Sequence, residues 1–155
     1  MSESYGAVVP TSWDAAVFVA APRAKVFDYL ADPRHRPEWQ ASLERVELLD
    51  EGAPRVGMRW IDHLKVGPPF ELQIIGMESD DLWAEMGRVG PLRAFVTLLF
   101  QDETRNGVDG TCVRIVARVR GHRLAKPLGW LATGVMGALV RVDVPRLARV
   151  VEQQT

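Results

Sequence analysis

From Leu43 to Val119 the chain is interrupted by turn-forming pairs, Glu51-Gly52, Gly67-Pro68, Ser79-Asp80, Gly90-Pro91 and Asn106-Gly107. Glycine, proline, asparagine and aspartate supply the backbone angles that tight turns need, and the stretches between them are of strand length. Six antiparallel strands in a meander are therefore expected here. Residues 12 to 20 alternate and are rich in Val and Phe, which adds a first strand, closed by Ala21 and Pro22. Val26, Phe27 and Leu30 share one helical face over Arg23–Ala31, and Asp32-Pro33 stops that helix. A second short helix is expected over Pro37 to Ala41.

After the meander, Leu124, Leu128, Leu131, Val135, Leu139 and Val142 recur at three- and four-residue intervals. That spacing predicts a long amphipathic helix over about Arg123 to Glu152, which Pro145 should kink or divide. A seven-stranded antiparallel sheet has one apolar face to cover, and this helix is the element available to cover it. The class is α+β. With 155 residues the chain is the size of one domain, read as a flexible segment over 1–11 and a single ligand-binding domain over 12–152.

A net charge of −1 gives no general field for nucleic acid, so nucleic-acid binding is not expected. The single cysteine, Cys112, excludes an internal disulfide and a multi-thiolate zinc site. The histidines, His35, His63 and His122, are far apart in sequence with no metal-binding pair, so neither metal nor cofactor is expected. No leader-like segment opens the sequence, and the longest apolar stretch, Pro127 to Val140, falls short of the about 20 residues that cross a bilayer. A cytoplasmic protein, monomer or homodimer, is expected. From Val113 to Glu152 eight Lys or Arg face two acids, which suits either a solvated face or peripheral contact with anionic lipid.

The segment from Ala21 to Trp39 (APRAKVFDYLADPRHRPEW), with Val46 to Leu49 (VELL), Val56 to Trp60 (VGMRW), Gly110-Thr111 and the terminal helix, resembles the START-like (SRPBCC, Bet v 1-like) superfamily. That superfamily includes polyketide cyclase/dehydrase and lipid-transport domains. The resemblance implies a helix-grip fold, with an apolar cavity between the sheet and the long C-terminal helix. It carries over no common catalytic motif, because cavity residues differ between subfamilies.

Turning each strand's more apolar set inward buries Val113, Ile115, Ala117 and Val119 on the last strand, and Ala94, Val96, Leu98 and Phe100 on its neighbour. It also buries Leu82, Ala84 and Met86, then Phe70, Leu72 and Ile74, then Met58, Trp60 and Leu64. A three-residue turn at Val66 to Pro68 would pair Leu64 with Phe70 and Trp60 with Ile74. The same parity sends two charged residues inward, Asp62 and Arg88. A buried carboxylate needs a partner, for which Arg88 is a candidate, or holds its proton more tightly. His63 has outward parity but would suit a general base at neutral pH. Trp39 and Trp60 either line the pocket or fill the core, whereas Trp83 has outward parity.

The expected function is binding of a hydrophobic small molecule, a lipid, isoprenoid or polyketide-like compound, by a carrier or sensor. The expected wall is Trp39, Trp60, Phe70, Leu72, Met86, Val96, Leu98, Ile115, Leu131, Val135 and Leu139, with Asp62 and Arg88 orienting the ligand. One alternative is a cofactor-independent cyclase or dehydratase, with Asp62 or His63 as acid or base and Arg88 steadying an enolate. Another is a protein-interaction module using the basic helix.

Overall fold

Two tight turns set the frame of the sheet. In the computed structural model, which describes residues 11–121, 134 and 137–154, Asn106 (φ 51°) and Gly107 (φ 78°) both take left-handed backbone angles. Such a two-residue turn matches the natural twist of a hairpin, and it pairs Arg105 with Val108. Gly90 (φ 53°) and Pro91 form the other two-residue turn and pair Val89 with Leu92.

The elements run β1 (Thr11–Val19), α1 (Arg23–Ala31), a 3-10 turn (Pro33–His35), α2 (Arg36–Trp39), β2 (Leu43–Leu48), β3 (Arg59–Leu64), β4 (Phe70–Glu78), β5 (Leu82–Val89), β6 (Leu92–Arg105) and β7 (Val108–Arg120). A π-helical turn (Leu139–Asp143) and α3 (Val144–Gln154) follow. The seven strands form one antiparallel sheet in the order β1-β7-β6-β5-β4-β3-β2. β1 therefore returns beside β7, and the sheet curves into the half-barrel expected of a helix-grip fold.

Val144, Leu147 and Val151 of α3 are buried, at the spacing of one helical face, and the helix packs on β1. Just before it, the Val144 N–H donates to the Leu139 carbonyl, five residues back. This wider turn directly precedes Pro145, whose missing N–H interrupts the ordinary four-residue ladder, and the helix runs on through it without a break. The earlier part of the expected helix, including Leu131 and Val135, lies outside the described residues.

The inward sets of β6 and β7 are as the alternation predicts: Val96, Leu98, Phe100, Val113, Ile115 and Ala117 are all buried. Two expectations for the other strands are corrected. Pairing between β3 and β4 places Asp62 opposite Phe70 and Trp60 opposite Leu72, two residues from the expected register. The connection spans five residues, 65–69, and ends in two prolines that cannot donate to the ladder. Because the slip is even, every side chain keeps its face.

The slip in β5 is odd. Trp83, Glu85 and Gly87 pair with the inward residues Leu98, Val96 and Ala94, so they face the core. Met86 and Arg88 point outward, opposite Phe95 and Arg93. Trp83, expected outside, is 2% exposed.

Candidate functional site

The segment after α1 is a locally determined scaffold. Asp32 caps the 3-10 turn, its Oδ1 accepting from the Arg34 N–H at 3.0 Å. His35 stacks on Tyr29, with ring centroids 4.4 Å apart, and its Nδ1 lies 2.8 Å from the Tyr29 carbonyl oxygen. Tyr29 also donates its hydroxyl to Glu38. Held this way, α2 projects Arg36 onto the inner face of the sheet, where its guanidinium is almost completely buried.

There Arg36 Nη2 donates to Asp62 Oδ2 of β3 at 2.9 Å, and Nη1 donates to Glu85 Oε2 of β5 at 2.7 Å. The two strands are separated by β4, so the planar fork clamps α2 across three strands. The other oxygen of Asp62 accepts from Trp60 Nε1 at 3.0 Å. Glu85 differs: only its Oε2 is held, and Oε1 takes no protein donor among the described residues. Asp62 is a fully bonded anchor, whereas Glu85 keeps one oxygen free.

Burial dominates the proton affinities. It raises Glu85 to about 7, with Arg36 opposing and the Asp62 charge adding to the rise. Burial likewise raises Asp62, against the pull of Arg36 and Trp60. Burial alone would loosen the proton on Arg36, but Asp62 and Glu85 reverse that and fix it as a cation. A third buried carboxyl, Asp143 of the π turn, accepts the Ala41 N–H at 2.9 Å and is also raised by burial. It ties the C-terminal helix to the end of the α2 segment.

This cluster forms one wall of a cavity of about 60 Å³. Phe70, Leu72, Val96 and Leu139 of the expected wall line it, together with Asp62. Among the described residues, Arg36, Gln40, Ser42, Leu64, Glu85, Gly87 and Ala94 also line it. Trp39, Trp60, Leu98 and Ile115 are buried in the core but do not line the cavity. Leu131 and Val135 lie outside the described residues.

Three placements differ from expectation. Arg88 is exposed on the outer face between Glu71 and Arg93, so it is not the partner of Asp62. Met86 shares that outer face. His63 is turned away from Asp62 and meets Glu47 at 2.7 Å near the surface. Arg36 and Glu85 escape the sequence reading because Leu82, Ala84 and Met86 read as the more apolar set of β5, which turns Glu85 outward, and Arg36 lies in a charged run with no periodicity to give it a face. One signal was available: the two-residue turn at Gly90-Pro91 fixes Glu85 opposite Val96, and an inward Val96 requires an inward Glu85.

Among the described residues no group of His, Cys, Asp or Glu is arranged to hold a metal, and no helix is long and apolar enough to cross a membrane. The fold is similar to a START superfamily protein from Mycobacterium smegmatis, with a TM-score of 0.69 and 14% identity over 93% of this chain and 99% of that one. It is also similar to a point mutant of norcoclaurine synthase from Thalictrum flavum in complex with a transition-state analogue, with a TM-score of 0.64 and 16% identity over 96% and 99%. The DR_A0006 protein of Deinococcus radiodurans matches with a TM-score of 0.62 and 20% identity over 94% and 99%. At such identities the likeness is one of fold. No curated protein matches the chain significantly by sequence. The family model for polyketide cyclase/dehydrase and lipid transport matches residues 10–152, and with the START-like fold it supports a ligand-binding role. The chain belongs to the polyketide cyclase/dehydrase and lipid-transport family.

Proposed function

We propose that this protein binds a small, mainly apolar molecule between the sheet and the C-terminal helix, as a carrier or sensor. The observation that carries the reading is a cavity with apolar side chains on most of its wall and the Arg36–Glu85 pair on the rest. Apolar burial supplies affinity at about 25 cal/mol per Å² before ordering costs. The few polar groups supply orientation. Cavities for drug-sized ligands are commonly about 300–1,000 Å³. The ligand is therefore compact, or a larger one enters by displacing flexible lining side chains such as Leu72 and Leu139.

Binding of an apolar fluorophore, followed by its competitive displacement, tests the reading. Val96→Trp fills the cavity from β6 and should weaken binding at least tenfold. Undiminished affinity in a folded V96W protein would place binding elsewhere.

A cyclase or dehydratase activity is the second reading, and Glu85 favours it. Its carboxyl is oriented by Arg36 through one oxygen, has the other free at the cavity, and changes protonation near neutral pH. In this reading Glu85 is the acid or base, and Asp62 is a positioning residue acting through Arg36. Glu85→Gln should abolish turnover of a poly-keto substrate while leaving the protein folded. Retained turnover would remove Glu85 from the chemistry.

A further inference from the structure

Two side-chain oxygens on the described wall of the cavity have no donor. Glu85 Oε1, at the cavity, takes no donor among the described residues. Gln40, which lines the same space and is 8% exposed, has a buried Oε1 without a donor. Nearby, Asp143 Oδ2 is buried and also lacks one, while Oδ1 of the same carboxyl holds the N–H of Ala41, the residue after Gln40. Among the described residues the buried donors without a partner are Arg36 Nε, beside the cavity, and the indole Nε1 atoms of Trp39 and Trp83, which lie in the core and do not line it. Both terminal nitrogens of the Arg36 guanidinium are engaged by Asp62 and Glu85.

Unpaired polar atoms in such a place are costly, and so is an excess of one charge. Arg36 balances only one of its two carboxylates. A carboxylate or phosphate ligand would add a third negative charge beside a guanidinium whose two terminal nitrogens are already engaged. A carbonyl would leave Glu85 Oε1 and Gln40 Oε1 without a donor. An ammonium group brings one positive charge and up to three N–H donors for these two oxygens.

We propose that the cavity takes an apolar molecule carrying a protonated amine, whose N–H groups are received by Glu85 Oε1 and Gln40 Oε1. The apolar remainder lies against Phe70, Leu72 and Val96. With the amine in place, Arg36 and the ammonium together balance Asp62 and Glu85. The inference rests on the ligand-binding reading and adds the chemical class of the ligand.

The charged groups facing Glu85 are Arg36 from α2 and Asp62 from β3, with Asp143 of the C-terminal helix acting on Arg36. Binding of an ammonium requires the ionised form of Glu85, which in the free protein titrates near 7. An alkylamine stays protonated to about pH 10, so between pH 8 and pH 6 the affinity should fall about tenfold as Glu85 takes up its proton.

The test compares hexylamine, hexanol and hexanoate by NMR titration of the full chain. Proton release is read in parallel by calorimetry at pH 6 in buffers of different ionisation enthalpy. Hexylamine should bind at least tenfold tighter than either of the others, releasing close to one proton at pH 6. Glu85→Gln should bring the amine-to-alcohol ratio within about threefold and flatten its pH dependence. Hexanol binding as tightly as hexylamine, hexanoate binding more tightly, or amine binding without proton release would overturn the assignment while leaving the ligand-binding reading intact. If none of the three binds and the apolar fluorophore also fails, both readings fall. The proton-release measurement needs only the wild-type protein, so an unstable variant does not block the test.

Discussion

Two arginine–carboxylate pairings in this molecule are chemically alike and physically opposite. On the outer face of the sheet Arg114 meets Asp14 at 2.5 Å, with more than half of each side chain in water. On the inner face Arg36 meets Asp62 at 2.9 Å and Glu85 at 2.7 Å, with side chains 6–7% exposed. In water the charges are already solvated, so bringing them together changes little. Inside, each charge has given up its water, and the network is stable only as a set. Proximity of charges is common to both places, and burial alone turns it into an orienting device that also shifts proton affinities.

The comparison breaks most visibly at Arg36. Arg36→Met leaves Asp62 and Glu85 buried without their cation, and about 3–5 kcal/mol of stability should be lost at pH 7.5 by urea unfolding. The loss should shrink at pH 5, where the two carboxyls can take up protons. A midpoint no lower than that of Arg114→Met would sink the distinction between the two faces.

Glu85→Gln sharpens the comparison through pH. The folded-state value of Glu85 is raised from 4.5 to about 7, so its contribution to stability is fully present below pH 4.5 and is lost as pH rises through about 7. Relative to the glutamine variant, the wild type should lose up to about 3 kcal/mol across that window. Parallel stability curves for the two proteins would contradict a buried, titrating Glu85.

A smaller effect is expected at the anchor. Trp60→Phe keeps a ring in the core but removes the N–H that holds Asp62 Oδ1. An unpartnered buried acceptor costs about 1–3 kcal/mol. Thermal unfolding should show that loss, reduced at low pH where Asp62 is protonated. Least of all should follow from Asp14→Asn on the outer face, with an unfolding midpoint unchanged within error and insensitive to 1 M salt.

Much of this architecture is legible in the residues alone. Arg23–Ala31 forms the helix that Val26, Phe27 and Leu30 call for, and the irregular π turn of the terminal helix falls directly before Pro145. The alternation of β6 and β7 is plain because both inner faces are uniformly apolar. Inward Asp62 was also readable, since Trp60 and Leu64 flank it with the same parity. Its partner was not. Arg36 comes from a charged loop-like run, Arg34-His35-Arg36, with nothing local to separate the buried arginine from its exposed neighbour Arg34.

In β5 the rule that the more apolar set faces inward fails, because the strand buries Trp83 and Glu85 on one face and leaves Met86 and Arg88 on the other. A bulge between Ile74 and Gly76 of β4 alters the pairing next to it, and hydrophobicity alone does not reveal that.

Local periodicity and turn chemistry act over a few residues, so the sequence by itself determined the strand count, the first helix and most of the inward faces. The site depends on contacts among residues 26 and 49 positions apart, Arg36 with Asp62 and Arg36 with Glu85. Only the tertiary structure decided those, because the free energy of a charge depends on how much water and which partners surround it, and both are fixed only when the sheet curves and α2 closes over it.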